Sequence, residues 1–252
     1  MKRGMALAAV AACGVSAAAQ VAPICIDWSV DGDGAMLANG QQLTDSSGSV
    51  FTFGSLFTME TFGSNLGATI FDTDPAGPNA AGPDPDLLVN RGNGVILQNS
   101  GSSTQTVPGI FDVPDDATTN NGRYEIDFTE NVEILSIDLL DINGGNDVDI
   151  ILTDGMGLTR TFEIPMDWTG DPTNNPPGWA TLDLTNLAAQ AGGGPGGLSN
   201  AFEDAGFDVL DVAAMEIRFQ GSGGWNNLKF IPAPGTAALL GLGGLAAMRR
   251  RR

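Results

Sequence analysis

The sequence predicts an all-β, antiparallel fold, a sandwich or a barrel. Short runs of alternating apolar and polar residues recur along the chain, clusters of Gly, Pro, Asn and Asp separate them, and helical periodicity is scarce. Between an apolar leader and an apolar tail, residues 20–230 form a body long enough to bury one substantial core and within the size of a single β domain.

Taken in order, the first strands are expected at 24–28, 50–53, 57–62 and 68–71. A polar loop holding Asp31, Gly32, Asp33 and Gly34 separates the first two. No acid stands at the twelfth position of a calcium-loop count from Asp31, where Gln42 lies, so this is a turn and not an EF-hand. Residues 72–85 form the loop richest in proline and acid, and its prolines hold the backbone extended, turning Asp84 and Asp86 to one side of a stiff segment. The run 94–99 has a continuous apolar centre and belongs well inside a sheet.

The clearest alternation lies at 123–128, with Tyr124, Ile126 and Phe128 inward and Arg123, Glu125 and Asp127 outward. Thr129, Glu130 and Asn131 separate it from 132–142, whose apolar parity changes between Ile134 and Leu135. A bulge there lets Leu135, Ile137 and Leu139 reach the core. A hairpin through Asn143, Gly144, Gly145 and Asn146 leads into 147–153, with Val148, Ile150 and Leu152 inward and Ile151 on the outer face. A turn at Asp154 and Gly155 then leads to 158–164, making an antiparallel meander. The loop 166–178 holds Trp168, Pro172, Pro176 and Pro177 and precedes a strand at 179–184. A short helix is expected over 185–191, ended by the glycine-rich run 192–197. One or two strands in 209–219 and a last one at 225–231 close the body.

Composition narrows the chemistry. The body carries all thirty acidic residues but only Arg91, Arg123, Arg160, Arg218 and Lys229 as bases, a net charge of about −25 that repels nucleic acid and attracts cations. Twenty-three of the acids are Asp and seven are Glu, a balance that suits turns, a solvated coat and oxygen-ligand cation sites. The chain has no histidine, which excludes serine–histidine triads, histidine–metal sites and imidazole acid–base catalysis. No glycine-rich phosphate loop ending in Gly-Lys-Ser/Thr is present. Glycoside hydrolysis needs two carboxylates across a cleft, and nothing in the spacing of the acids selects a pair, so the chain is read as non-catalytic. A carbohydrate platform would fall to Trp168, Trp179 or Trp225, with Trp168 in its proline-rich loop the first choice, although large aromatics in β domains also fill cores.

Both ends read as addresses. Lys2 and Arg3, the apolar run 5–15 and Ala17, Ala18 and Ala19 form a signal peptide, residues 1–19, with the mature chain starting near Gln20. A lipoprotein-like box at 10–13, which would place a lipid on Cys13, is the competing cut. Cleavage after Ala19 leaves Cys25 as the one cysteine, so no disulfide framework supports the fold. At the other end, Pro232, Ala233, Pro234 and Gly235 precede an apolar run, 236–248, and then Arg249, Arg250, Arg251 and Arg252. As a helix the run reaches about 20 Å, short of a hydrocarbon core of about 30 Å, and the arginines act as a stop to transfer.

This order of motif, apolar helix and arginine cluster over residues 231–252 resembles the bacterial PEP-CTERM sorting signal, with Ala233 where the family has glutamate. The resemblance implies export, handling by an exosortase-type membrane protease, and delivery to the cell envelope or extracellular matrix. A weak tail anchor without processing is the other reading. The body also resembles β-sandwich domains that recur upstream of this signal, through 82–88, 93–96, 137–142, 221–223 and the pair Asn227 and Leu228, with Asn226 where relatives carry Asp. That implies a jelly-roll-like sandwich of the galactose-binding type. In such a sandwich calcium ligands come from loops at one end, for which Asp84, Asp86, Asp141, Asn143, Asn146 and Asp147 supply the hard oxygen donors. The function expected is that of an exported, non-catalytic surface or adhesion protein, stabilised by calcium, that meets the export machinery, an exosortase and extracellular polysaccharide. A polysaccharide-binding module using exposed tryptophan is the alternative, and a secreted hydrolase the third reading.

Overall fold

The organising element is a single strand that serves both sheets. A computed structural model describes residues 22–232 except 29–31, 39, 45–48, 117–121, 143–146, 171–177 and 188–199. Its strands are β1 (Ile24–Ile26), β2 (Gln42–Thr44), β3 (Val50–Thr52), β4 (Phe57–Phe62), β5 (Asn65–Asp72), β6 (Asn93–Asn99), β7 (Gly122–Leu140), β8 (Val148–Asp154), β9 (Thr159–Ile164), β10 (Trp179–Asp183), β11 (Asn200–Glu203), β12 (Val212–Phe219) and β13 (Gly224–Pro232).

β7 is 19 residues long and changes neighbours halfway. Its first half runs between β12 and β4, and its second half between β13 and β10. Phe219 pairs with Gly122 and Gly224 pairs with Leu140, although only four residues separate Phe219 from Gly224. Those five steps reach at most about 18 Å, whereas a flat β7 would hold its ends about 60 Å apart. The strand therefore doubles over, and the exposed residues Thr129 and Glu130 mark the corner. The segment expected to separate two strands is the outer edge of this fold-over.

The result is an antiparallel β-sandwich. One sheet has the order β11-β9-β8-β12-β7-β4, and the other β10-β7-β13-β6-β5, with β1 continuing the edge of β13 beyond β6. Inward residues of the first sheet, such as Tyr124, Ile126, Ile150, Leu152, Met215 and Ile217, meet Ile134, Ile137, Leu139, Val95, Trp225 and Leu228 of the second in one continuous core. Edge-to-face aromatic pairs cross it, with Tyr124 and Trp225 at 5.8 Å and Phe57 and Phe230 at 6.5 Å between ring centroids. Each such pair contributes about 0.5–1.5 kcal/mol beyond its buried area.

The expected bulge is present. Lys229 pairs with Ser136 and Phe230 with Ile134, so Leu135 is the extra residue, and Ile137 and Leu139 regain the core while Leu135 is half-buried. A second irregularity lies on β13, where Asn227 takes φ 48°.

Three expectations are corrected. β8 does not form a meander with β7, because the second half of β7 already has β13 and β10 on its two edges, and β8 pairs instead with β12 and β9. β2 and β11 are strands where none was expected. Thr185 lies in a bend, and most of the helix expected at 185–191 falls outside the described residues. Pro232, the first residue of the sorting motif, ends β13 opposite Val132. Residues 1–19, Ala233, Pro234, Gly235 and Arg249, Arg250, Arg251 and Arg252 lie outside the described residues.

Candidate functional site

Three acidic side chains converge at the rim of the sandwich. Two 3₁₀ turns, Pro78–Ala81 and Pro85–Leu87, shape the loop after β5, each begun by a proline whose fixed φ suits the first position. Leu87 is fully buried against Phe71, Val89, Ile96 and Leu140 and pins this loop to the second sheet. Asp84 stands just before the second turn. Asp115 and Asp116 come from an extended segment laid against the end of β6, where Asn99 donates its N–H to the Asp115 carbonyl at 2.7 Å and Gln98 bridges to Asp116. The Asp116 N–H donates to Asp84 Oδ2 at 3.0 Å. One carboxylate oxygen from each of Asp84, Asp115 and Asp116 lies within 4.8 Å of the other two.

These carboxyls are far from ordinary. Asp116 is 1 % exposed; its Oδ2 accepts the Gly223 N–H, and its Oδ1 is buried without a donor. Asp115 is buried and accepts the Ser102 hydroxyl. Burial, the adjoining Asp115 carboxyl and the Asp86 charge push the Asp84 carboxyl up to about 7, against the opposing N–H of Asp116. Burial, and then the Asp84 charge, drives Asp116 well above the usual carboxylate range. Burial, and then the Asp116 charge, does the same to the Tyr124 phenol in the core. The arrangement concentrates negative charge where water solvates it poorly, which a proton or a cation relieves.

The sequence-predicted ligand set is redrawn by these positions. Asp84 belongs to the cluster, and Asp86 is near enough for its charge to act on both Asp84 and Asp116. Asp141 is not in it: it is buried at φ 56°, with its N–H donating to the Gly178 carbonyl, where β7 leaves the sheet. Asp147 is not in it either, since its carboxylate accepts the Met166 N–H at 3.0 Å. Asn143 and Asn146 lie outside the described residues. Sequence reading missed Asp115 and Asp116, although Pro114-Asp115-Asp116 repeats the proline-held acids of Pro83-Asp84-Pro85-Asp86.

The tryptophan platform is not formed by Trp168. Its backbone N–H donates to the Pro165 carbonyl in a turn that carries the indole back into the main core, where it is 0 % exposed. Trp225 and Trp28 are also buried. Trp179 is half-buried, and the Arg91 guanidinium covers its ring at 3.9 Å from the centroid. Arg91 is itself fixed by the buried Asp138, its Nε at 2.8 Å and Nη2 at 2.7 Å from Oδ2, while Thr181 and Asn227 donate to the same carboxylate.

A second feature is the outer face of the first sheet. The register places Glu60, Glu125 and Glu216 side by side on β4, β7 and β12. In the next row Phe62, Arg123, Arg218, Asp149 and Glu163 follow one another across five strands. Arg123 reaches Glu125 at 2.8 Å and Glu216 at 3.2 Å and lies 4.4 Å over the Phe62 ring. Burial, then the Glu163 charge, raises the Asp149 carboxyl. A shallow groove of about 380 Å³ runs here, lined by Arg123, Asp149, Arg218, Phe219 and Gln220.

No family model matches the chain, and no curated protein matches it. Among solved structures, the chain is similar to the family 11 carbohydrate-binding module of the cellulosomal cellulase Lic26A-Cel5E of Clostridium thermocellum, at 11% identity and a TM-score of 0.31, over 85% of this chain and 97% of that one. Among the described residues no helix is long and apolar enough to cross a membrane.

Proposed function

We propose that the chain is an exported, non-catalytic protein of the cell envelope or extracellular matrix, whose acidic β-sandwich does structural or adhesive work through the outer face of its first sheet. One observation carries this reading: Glu60, Glu125 and Glu216 occupy directly opposed positions on three adjacent strands. Like charges so placed destabilise a sheet, and Arg123 and Arg218 offset them only in part. A solvated acidic row that costs the fold stability is suited to an external cationic partner, or to a divalent cation shared with another acidic polymer. The signal-peptide pattern at 1–19 and the exosortase-type tail at 231–252 support delivery outside the membrane.

Polysaccharide binding is the second reading, and the groove favours it. Arg123, Arg218, Asp149 and Gln220 line it with planar donors and acceptors suited to sugar hydroxyls, in place of an aromatic platform. The two readings separate in one experiment, in which beads bearing the full-length chain are mixed with immobilised acidic or neutral polysaccharide, with divalent cation or chelator. Cation-dependent capture by the acidic polymer that is lost in the double variant Glu125→Gln/Glu216→Gln supports the adhesive reading. Capture of neutral glycan in chelator, lost in Arg123→Ala/Arg218→Ala, supports the second reading, and capture of neither overturns both.

A further inference from the structure

We propose that Asp84, Asp115 and Asp116, with Asp86 beside them, form a calcium site that ties the loop after β5 and the segment after β6 to the turn between β12 and β13. The site is independent of the charged sheet face. Its first support is geometric. A point equidistant from three oxygens at the full 4.8 Å separation lies about 2.8 Å from each, close to the calcium–oxygen distance of about 2.3–2.6 Å, so a small inward movement completes coordination.

The second support is Asp116 itself. It is 1 % exposed, one oxygen is taken by the Gly223 N–H, and Oδ1 is left buried and without a donor. An unmet acceptor of this kind is rare in a folded protein and points to a missing partner. The charged groups that act on Asp116 are the carboxylates of Asp84, Asp86 and Asp115, so the partner that fits beside them is a cation and not another anion.

The donor set selects the ion. Carboxylate oxygens alone, in a chain with no histidine, suit a hard cation and not zinc. Three carboxylates from two separate loops, with a fourth charge nearby, match the large and irregular oxygen shell of calcium better than the strict octahedron of magnesium. Binding there has a structural consequence. Gly223 sits at φ 136°, and a Cβ on it would meet Phe219, Ile142 and the Leu140 carbonyl at 3.0–3.1 Å, so this turn is tightly packed where the two sheets close on each other. Holding Asp116 in place therefore holds the closure of the sandwich.

The test is calorimetric titration of calcium chloride into the chelator-stripped full-length chain at physiological ionic strength, with melting temperature measured alongside. One saturating ion per chain and a rise in melting temperature are expected. Asp116→Asn, which keeps an acceptor for Gly223, and Asp84→Asn, on the half-buried loop, each weaken binding by about tenfold or more. Asp147→Asn and Glu125→Gln/Glu216→Gln leave it unchanged. Heat that does not saturate at this ionic strength, or saturable binding that survives both Asp84→Asn and Asp116→Asn, overturns the proposal. If Asp116→Asn does not fold, Asp84→Asn decides alone.

Discussion

Breaking the Arg91–Asp138 pair from its two sides should have unequal costs. Asp138 is 2 % exposed and lies in the middle of β7, whereas the Arg91 side chain is 35 % exposed. Removing the guanidinium with Arg91→Met strands a carboxylate that keeps only the Thr181 and Asn227 donors and has no route to water. Stranding a buried charge typically costs about 3–5 kcal/mol, and the two surviving donors place this one near about 3 kcal/mol. Asp138→Asn strands the arginine instead, which turns outward into solvent, so the loss falls to about 1–2 kcal/mol, close to that of one charge-assisted hydrogen bond. In a domain of this size 1 kcal/mol moves the melting temperature by about 2–4 °C, giving drops near about 6–12 °C for Arg91→Met and about 2–8 °C for Asp138→Asn. Urea unfolding of the single and double variants, at one slope, measures these costs and the coupling between them. A larger loss in Asp138→Asn than in Arg91→Met, or two losses that simply add, would refute this asymmetry.

In chelator, the Asp84 carboxyl at about 7 against its ordinary 3.8 means that the folded chain binds more protons than the unfolded chain between these values, so stability falls as pH rises from about 4 to about 7. The full shift corresponds to about 4 kcal/mol, and solvent screening of this half-buried group reduces that to about 2 kcal/mol. Thermal melts across that window should show the slope in the native chain and a smaller one in Asp84→Asn, and equal slopes would refute the assignment. Gly34 sits at φ 76° with its Cβ position 2.2 Å from the Phe111 carbonyl oxygen, whereas Gly40, at φ 100°, has nothing within 4 Å. Gly34→Ala should cost about 3 kcal/mol or more by clash and strain together, and Gly40→Ala about 1–2 kcal/mol by strain alone, as denaturant melts would measure.

Alternation carried the strands because it is local: Tyr124, Ile126 and Phe128, or Val148, Ile150 and Leu152, reach the core whichever strand lies beside them. The bulge at Leu135 was legible for the same reason, since a parity change within one strand needs no knowledge of its neighbour. Partnership was not legible. Thr129, Glu130 and Asn131 are polar both in a turn and on the outside of a doubled strand, and only the short link from Phe219 to Gly224 distinguishes the two. The same limit governed the acidic cluster. Proline stiffness singled out Asp84 from its own neighbours, but Asp115 and Asp116 meet it only because Gln98 and Asn99 hold their segment beside β6. The candidates chosen from turns, Asp141 and Asp147, have work in the backbone instead, one at the φ 56° exit of β7 and one capping the Met166 N–H. Trp168 failed as a platform for a related reason: a proline-rich loop marks where the backbone turns, while the direction of the indole is set by the turn at Pro165 and the apolar area it buries. An acidic residue in a β-rich chain thus joins an acidic cluster less by its own turn chemistry than by what holds it against another acid, and here that hold is the edge of β6.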